Sequence, residues 1–439
     1  MSNHKRVLNV LFIILISIVL LSLSTTQLLA RKHTKSVLAG GGINSSNVEI
    51  FEDIVAKAGG AEGKICVVPA SSYPWNWDLE YCTDVLGLTG EEAFQCADDY
   101  GWDYGNSKIN IEWYGQILES FGIGQYTGIY IDPTLKDQNT NPELIEAAEG
   151  CTGFFFTGGD QSRAVFSLKN EGKPSPLLKA IIKRVKKGAL MSGTSAGTAI
   201  QTKRFMIANG RNPLALVNGA SSAVWDATER DLVYSDGVCG GSCDDLLFNE
   251  DGGIGTFRYG ITDTHFSDSE RALRLLRLLA DTRHRFGFGI DTDTSLSVEN
   301  DLMQVIGQDG VTVLDLSRAR VKRRADNFEI SGVRISYIRP GDTYNAKKKR
   351  FTLAGSEIEE VDTQPIVNND IMDELDAGGF QMVGLLSDLA KSKEKAAIGY
   401  SLSDNPRFQV TLEKDRKTRT AIRGDNVSVV NMQLSVKEY

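Results

Sequence analysis

The stretch Ala189-Leu190-Met191-Ser192-Gly193-Thr194-Ser195-Ala196-Gly197 joins a short apolar run to a serine between two glycines. A serine on a sharp turn from strand to helix has its hydroxyl directed out of the sheet, and flanking glycines let neighbouring main chain pass close to it. The stretch therefore predicts that Ser195 is presented as a nucleophile. Small residues also fill ordinary strand-to-helix turns, so this interpretation depends on the rest of the chain.

Four other apolar runs also stop in small or polar residues. Each run is continuous rather than alternating, which is typical of buried parallel strands with helices on both faces. The runs cover residues 36–39, 65–70, 128–131 and 154–156. We therefore predict an α/β fold with a mostly parallel sheet, in which ligands bind at the carboxyl ends of the strands. For the glycines at 40–42, ordinary turn geometry is the simpler interpretation.

The composition of the 439-residue chain is that of a globular protein, with 41% hydrophobic and 24% charged residues. Its 48 basic and 57 acidic residues give a formal net charge of -9. An acidic balance of this kind argues against a nucleic-acid partner. Histidine is scarce and the cysteine spacings are not those of a zinc site, so we expect no metal and no other cofactor.

Residues 1–35 form a targeting segment, because His4-Lys5-Arg6 precedes a long apolar stretch over residues 7–23. A cleaved signal peptide and an uncleaved signal anchor both fit this pattern. Either alternative predicts that the remainder is secreted or membrane-anchored, on the lumenal or extracellular side. Contact with a membrane through residues 7–23 is accordingly one expected interaction.

Six cysteines fit an oxidising compartment. Two of the expected disulfides close short loops, and the two remaining cysteines could pair or stay free. The expected short-loop pairs are Cys82 with Cys96 and Cys239 with Cys243, which leaves Cys66 and Cys151.

A serine nucleophile needs a base, and the chain has four histidines. His4 and His33 belong to the targeting region, and His284 lies in a charged stretch typical of the surface. His265 follows the apolar residues of a predicted strand end and is the best candidate base. Ser267-Asp268-Ser269-Glu270 then has the spacing of a capping box, which predicts a helix that begins near Asp268.

The carboxylate that orients the imidazole is expected after His265, at Asp291 or Asp293, where another apolar run enters a polar turn. The order of the three groups would then be serine, histidine, acid. This order differs from the serine, acid, histidine order of the α/β-hydrolases and disfavours a lipase or esterase.

Four blocks of sequence together resemble the cyanophycinase family of serine peptidases, which is related to aspartyl dipeptidases. The blocks are Phe156-Thr157-Gly158-Gly159-Asp160-Gln161, Gly193-Thr194-Ser195-Ala196-Gly197, Asp263-Thr264-His265-Phe266-Ser267 and Gly287-Phe288-Gly289-Ile290-Asp291. The resemblance covers roughly residues 36–345. It implies a fold like that of class I glutamine amidotransferases, which is flavodoxin-like.

The same resemblance implies roles for particular residues. Ser195 would be the nucleophile and His265 the base, and the main chain at Gly159 and Ala196 would form the oxyanion hole. Substrate would be bound by a further set of polar residues, namely Asp160, Gln161, Arg271 and Arg274. The implied partner is a peptide substrate, and the candidate bonds for cleavage are aspartyl or β-aspartyl linkages. The resemblance leaves open whether the protein is a homodimer.

Two departures from the family pattern keep a second interpretation open. Thr292 stands where the family has the glutamate of its triad, so Asp291 or Asp293 could substitute only if the chain leaves strand geometry there. Ser269 replaces one of the family's substrate-binding arginines. The first alternative to an active peptidase is therefore a catalytically impaired relative that binds peptides or partners. The second alternative is a different hydrolase, such as an amidase or esterase, that uses the same serine.

The predicted peptidase domain over residues 36–345 carries two insertions. The first insertion, residues 73–115, is rich in tryptophan, and the second insertion, residues 211–255, holds Cys239 and Cys243. Either could roof the site or form a surface excursion. Lys347-Lys348-Lys349-Arg350 is interpreted as a linker to a small α+β extension, residues 346–439, to which no role is assigned.

Overall fold

The computed structural model describes residues 34–240, 243–324, 327–371, 379–401 and 406–439. The predicted targeting segment, with its apolar stretch at residues 7–23, lies outside these ranges except for Thr34 and Lys35. None of the helices in the described ranges has the length and apolar character needed to span a bilayer.

One of the two large sheets has nine strands, five of which run parallel to one another. In order across the sheet, the parallel strands are Lys35–Ala39, Leu190–Thr194, Gly153–Phe156, Lys64–Val68 and Gln125–Gly128. Four antiparallel strands continue the sheet beyond the first of these, namely Thr294–Glu299, Leu302–Gly307, Thr343–Asn345 and Arg350–Thr352. The predicted α/β class is thus confirmed, and within this sheet the parallel pairing is limited to these five strands.

Side chains of the parallel strands alternate between two buried layers, as the pleat requires. Val67 and Phe155 pack into one layer, while Val68 and Phe156 pack into the other. All of these side chains are fully buried, which explains why the runs are continuously apolar. The run at residues 128–131 differs, since its strand already ends at Gly128.

Helices cover both faces of the parallel block. Val48–Ala58 is typical: Asn47 caps its first turn by accepting a hydrogen bond from the Ile50 amide, and Gly59 ends it with φ of 112°. The α-helices are Val48–Ala58, Trp75–Glu80, Glu91–Tyr104, Ser107–Ser120, Pro142–Gly150, Gln161–Leu168, Pro176–Lys186, Ala196–Ala199, Asn212–Asn218, Ala272–Thr282 and Gln381–Lys391.

The other large sheet has ten strands and is mainly antiparallel. Its main path is Ile261–Thr264, Phe286–Ile290, Val311–Asp315, Asn327–Ile338, Asn426–Glu438, Phe408–Glu413, Ala396–Tyr400 and Ile366–Asn368, with Arg320–Arg324 and Arg419–Arg423 alongside. Asn426–Glu438 pairs directly with Asn327–Ile338. Strands from both sides of the predicted boundary at residues 345/346 therefore share one sheet.

The second insertion folds mainly as a small sheet. The sheet has five strands, four from the insertion and one, Met206–Asn209, from just before it. The four strands of the insertion are Gly237–Val238, Asp231–Tyr234, Ala220–Asp226 and Leu246–Asn249. A two-stranded ribbon, Lys169–Asn170 with Lys173–Pro174, follows the helix Gln161–Leu168.

Three disulfides join the six cysteines. Cys82–Cys96 and Cys239–Cys243 confirm the two predicted short loops. Cys66 and Cys151, for which pairing and free thiols were both open, also form a disulfide and are fully buried. This third bridge spans 85 residues and ties a central strand to the end of the helix before the next strand.

Removing the long bridge should destabilise the protein more than removing the shortest one. By loop entropy alone, the Cys66→Ala/Cys151→Ala pair should lower the free energy of unfolding by about 4.5 kcal/mol, against about 2 kcal/mol for Cys239→Ala/Cys243→Ala. Denaturant unfolding of the two double variants measures the difference. Equal losses would show that chain constraint does not govern the effect of these bridges.

Candidate active site

Ser195 lies on a strained turn between the strand Leu190–Thr194 and the short helix Ala196–Ala199. Its φ of 51° and ψ of -119° are rare for a residue with a side chain. A Cβ on Gly193 would lie 2.3 Å from the Gly197 carbonyl oxygen, and one on Gly197 would lie 2.1 Å from the Phe156 oxygen. Both glycines are therefore required by close main-chain approach, as the sequence predicts.

His265 follows the strand Ile261–Thr264 in the other sheet, and its ring reaches across to the serine. The Nε2 atom lies 3.0 Å from Ser195 Oγ, within hydrogen-bond distance. The His265 side chain is 33% exposed, so the ring lies at the surface of a cleft. The structure therefore brings together the predicted nucleophile and the predicted base.

The triple-glycine turn at residues 40–42 holds the imidazole in place. The His265 amide donates to the Gly40 carbonyl at 2.8 Å, and Gly41 has φ of 113°. A Cβ on Gly41 would lie 2.0 Å from His265 Nε2. Ordinary turn geometry was the simpler interpretation of these glycines. The structure shows in addition that a side chain at position 41 would occupy the volume of the His265 imidazole.

The remaining ring nitrogen of His265 faces two other side chains. Thr292 Oγ1 lies 3.2 Å from Nδ1, and Asp268 Oδ2 lies 3.9 Å from it. The Thr292 amide also donates to Asp268 Oδ1 at 3.3 Å. Asp268 was not among the predicted acids, although it stands three residues after the histidine, and it is the carboxylate that accompanies the ring here.

Asp291 was expected as a possible third member, and the structure corrects this. Its carboxylate is buried, with Oδ1 accepting from the Ser267 amide at 2.9 Å and Oδ2 from the Tyr337 hydroxyl at 2.7 Å. Burial raises the pKa of Asp291 to about 7. This side chain points into the interior. It therefore binds the main chain of the loop after His265, at Ser267, and does not contact the ring.

Asp293 does not contact the imidazole either. At φ of 51° the chain has left strand geometry, and Asp293 Oδ1 accepts from the Asn44 amide at 2.9 Å and from Asn47 Nδ2 at 2.8 Å. Its own amide donates to the Gly41 carbonyl at 2.9 Å. The second candidate acid thus anchors the glycine turn.

The predicted oxyanion residues flank Ser195. Gly158 lies beside the serine, since a Cβ on this glycine would be 3.6 Å from Ser195 Cβ. Gly159 has φ of 127°, and a Cβ there would be 2.1 Å from the Ser71 carbonyl oxygen. Ala196 is the first residue of the helix after the serine. Main chain at Gly158 and at Ala196 therefore lies beside Ser195.

Asp160 and Gln161, predicted to bind substrate, make structural contacts near this turn. Asp160 caps the helix Gln161–Leu168 by accepting from the Ser162 amide at 2.7 Å, and burial raises the pKa of its carboxyl group. Gln161 Nε2 donates to the main-chain oxygens of Ile207 at 2.8 Å and Ala208 at 3.0 Å. Their contacts fasten the turn to the neighbouring sheet.

Arg274, the other expected substrate ligand after the histidine, is turned into the interior. It forms a two-pronged ion pair with Asp263, at 2.8 Å through Nε and 2.6 Å through Nη2, and it also donates to the Gly210 oxygen at 2.6 Å. Only 7% of its side chain is exposed. The structure corrects the substrate-binding prediction for Arg274, because burial and pairing give it a structural position.

Arg271 stays beside the base. Its Nη1 donates to the Thr264 carbonyl oxygen at 2.7 Å, one residue before His265. Burial and then the positive charge of Arg271 lower the pKa of His265, while the carboxylate of Asp268 opposes the shift. The imidazole is therefore held in its neutral form, which can accept a proton, to lower pH than an ordinary histidine.

The predicted capping box is absent, and its helix begins later than expected. The helix starts at Ala272 instead of near Asp268. Glu270 uses its carboxylate to accept from the amides of Gln381 and Met382, the first two residues of the helix Gln381–Lys391. Glu270 thus caps a helix from the C-terminal part of the chain. Residues 266–271 form a non-helical loop, and Asp268 lies on this loop.

Substituting Gly41 should misplace the base without unfolding the protein. Gly41→Ala puts a methyl group in the space of the imidazole and should slow modification of Ser195 by a fluorophosphonate about 10²-fold. The left-handed backbone should cost only about 1–2 kcal/mol of stability. Gly150→Ala, where nothing lies within 4 Å of the added carbon, is the matched control. Unchanged labelling of Gly41→Ala would contradict this role.

With the geometry established, comparisons with known proteins give a consistent result, although no model of a protein family matches the chain. A cyanophycinase of Geminocystis herdmanii is 30% identical over 241 residues, which cover 51% of this chain and 76% of that protein. A cyanophycinase of Synechococcus elongatus is 24% identical over 324 residues, which cover 72% of this chain and 80% of that protein.

One solved structure with a similar backbone is the crystal structure of a peptidase from an acI-B1 actinobacterium. It aligns with 72% of this chain and 98% of its own, at 16% identity and a TM-score of 0.41. The sequence relatives decide the assignment, because the Geminocystis protein is matched over more than two thirds of its length at 30% identity. The resemblance seen in the four sequence blocks is confirmed, and the chain belongs to the cyanophycinase family.

Proposed function

We propose that this protein is a serine-type peptidase that works through an acyl-enzyme on Ser195. The observation that carries the proposal is the 3.0 Å separation of Ser195 Oγ and His265 Nε2, beside main chain that can receive a developing negative charge. Family membership supports a hydrolase of peptides, since the matched relatives are cyanophycinases. A domain like that of class I glutamine amidotransferases is part of the same proposal.

In the proposed first step, Ser195 Oγ attacks the scissile carbonyl carbon while its proton passes to His265 Nε2. The carbonyl electron pair moves to oxygen, where the amides of Gly159 and Ala196 donate to the oxyanion. Cleavage of the carbon–nitrogen bond releases an amine, which takes the proton from His265. The products of this step are a free amine and an ester on Ser195.

In the second step, His265 removes a proton from water, and the resulting hydroxide attacks the ester. The carbon–oxygen bond to Ser195 breaks, and the proton on His265 returns to the serine as the acid product leaves. Both steps place a positive charge on the imidazole for a time. Asp268 can stabilise this charge through Nδ1, while the Thr292 hydroxyl accepts a hydrogen bond from Nδ1–H at 3.2 Å.

The second candidate function, a catalytically impaired protein that binds peptides, is favoured by one specific observation. Thr292 occupies the place of the family's acid, and the Asp268 carboxylate lies 3.9 Å from the ring instead of at hydrogen-bond distance. A peptide substrate is common to both functions. Aspartyl or β-aspartyl specificity and a homodimer remain parts of the proposal, and Arg271 is the predicted substrate arginine still beside the base.

We also propose that the domain is exported, either secreted or anchored with the site on the lumenal or extracellular side. Three disulfides, two of which close short loops and one of which links distant parts of the fold, support this location. An exported enzyme would meet peptide substrates outside the cytosol.

Labelling of the nucleophile separates the two functions. A fluorophosphonate should modify wild-type protein at one site, Ser195, and both Ser195→Ala and His265→Ala should abolish the reaction because each removes half of the proton-transfer pair. Ser192→Ala, a buried serine on the same strand, is the matched control and should still label. Mass spectrometry identifies the modified residue, and inert wild-type protein supports the binding function.

The pH dependence tests Asp268 and Arg271 together. Because hydrolysis needs neutral His265, kcat/KM should fall on the acid side with a midpoint below the ordinary histidine pKa. Asp268→Asn removes the charge that raises this pKa, so the midpoint should move lower and kcat should drop about tenfold or more. Arg271→Gln should move the midpoint higher.

The control for this pH series is Asp362→Asn, which removes an exposed carboxylate paired with Lys393. It should leave both the midpoint and kcat unchanged. Asp268→Asn with wild-type kcat and an unmoved midpoint would show that Asp268 is not coupled to the base. The readout is the initial rate with β-aspartyl dipeptides, cyanophycin and neutral peptides between pH 4 and pH 9.

A further inference from the structure

One arginine joins the two insertions above the helix Gln161–Leu168. The Arg163 guanidinium carbon lies 5.4 Å from the ring centre of Tyr73, 5.5 Å from that of Trp77 and 5.3 Å from that of Trp225. Tyr73 and Trp77 belong to the first insertion, and Trp225 belongs to the second. We call these four residues the arginine cage. All three distances are in the range of cation–π contacts.

The arginine cage lies next to the main-chain turn that borders Ser195. Arg163 is the third residue of a helix whose cap, Asp160, donates its amide to the Ser71 oxygen at 2.8 Å. Its Cα therefore lies about 4.5 Å along the helix axis from the cap. Helical side chains tilt toward the N-terminus, which directs Arg163 back toward the turn. Tyr73 follows Ser71 by two residues, so the cage begins where the turn is held.

Two nitrogen donors of the cage have no acceptor in the described part of the chain. Both Arg163 Nε and Trp225 Nε1 are buried without a hydrogen-bond partner. Aromatic faces attract the cation but accept no strong hydrogen bond. Leaving buried donors unpaired costs free energy, and a charged acceptor is the partner that a guanidinium binds best.

The charges around the cage are mixed, because the Asp160 carboxylate interacts with Arg163, and Asp78 and Glu80 lie near Tyr73. Arg230 lies 4.9 Å from the Trp77 ring centre, so this ring has two guanidinium groups near it, Arg163 from the helix Gln161–Leu168 and Arg230 from the second insertion. The charge of Arg230 is shared with Glu80 at 2.8 Å, at a partly exposed position. The charge of Arg163 is thus partly offset by Asp160, and the case for an anion rests on the unpaired donors of Arg163 and Trp225.

We propose that the arginine cage is a subsite for a carboxylate of the peptide substrate, bound by Arg163 and walled by Trp77 and Trp225. This inference rests on the proposed function, because it takes the turn beside Ser195 as the place where a peptide bond is held. The carboxylate can come from an acidic side chain next to the scissile bond or from the C-terminus of a short peptide.

The test compares peptides that differ only in charge. Acetylated, amidated tripeptides carry Asp or Asn on either side of the scissile bond, and a neutral tripeptide with a free C-terminus supplies the other carboxylate. Binding to the full chain with Ser195→Ala is measured by calorimetry, and kcat/KM is measured on the chain that retains Ser195. Arg163→Gln should weaken binding and kcat/KM at least about tenfold for one carboxylate source.

Neutral amidated peptides should change less than twofold in Arg163→Gln, which separates a subsite from a residue that merely fastens the insertions together. Arg163→Lys keeps the charge without the planar fork and should recover part of the loss. It also serves as the reporter if Arg163→Gln fails to fold. Arg258→Gln is the matched control, since Arg258 also lies on an aromatic ring, that of Tyr259, and pairs with Asp301.

The outcomes distinguish this inference from the proposed function. Equal losses for charged and neutral peptides, or no loss for either carboxylate source, overturn the subsite even if peptides are cleaved. Charge-selective binding to Ser195→Ala that depends on Arg163 supports the subsite even if the chain that retains Ser195 cleaves nothing. Selectivity for the amidated Asp peptides identifies the side chain as the source, and selectivity for the free C-terminus identifies the terminal carboxylate.

Discussion

The main chain at residues 39–41 holds the candidate site together. The Ala39 oxygen accepts from the Ser195 amide at 3.0 Å, the Gly40 oxygen from the His265 amide at 2.8 Å, and the Gly41 oxygen from the Asp293 amide at 2.9 Å. Three consecutive carbonyl groups thus position the candidate nucleophile Ser195, the candidate base His265 and the turn that carries Thr292. Each of these segments comes from a different part of the chain, so their mutual geometry depends on this one short segment.

The parts of this arrangement that follow from local sequence could be predicted. Buried parallel strands appear as continuous apolar runs, and the glycines around Ser195 indicate a turn in which main chain passes closely. His265 could be selected because few histidines are available outside the predicted targeting segment and only this one follows a strand. These features depend on residue type and spacing within a few positions.

The acid could not be predicted, because its identity depends on side-chain direction after a strand ends. Asp291 and Thr292 are neighbours just after the strand Phe286–Ile290, yet one side chain contacts Tyr337 in the interior and the other contacts His265. Asp268 reaches the ring only because its loop is not helical. That in turn reflects Glu270 capping a helix 111 residues later in the chain, a long-range contact with no local signal. Arg274 illustrates the same limit. Its spacing of three residues from Arg271 would place both on one helix face, but Arg274 pairs with the buried Asp263 and points into the interior.

The pairing of Asn426–Glu438 with Asn327–Ile338 has a consequence for the order in which the molecule is assembled. The helix after His265 is buried in one apolar cluster with side chains from the helix Gln381–Lys391 and from the last strand. The strands around Ser195 can pair without the strand Asn426–Glu438, whereas the sheet that carries His265 reaches its final packing only when that strand is in place. The approach of the imidazole to Ser195 therefore depends on a strand far along the chain.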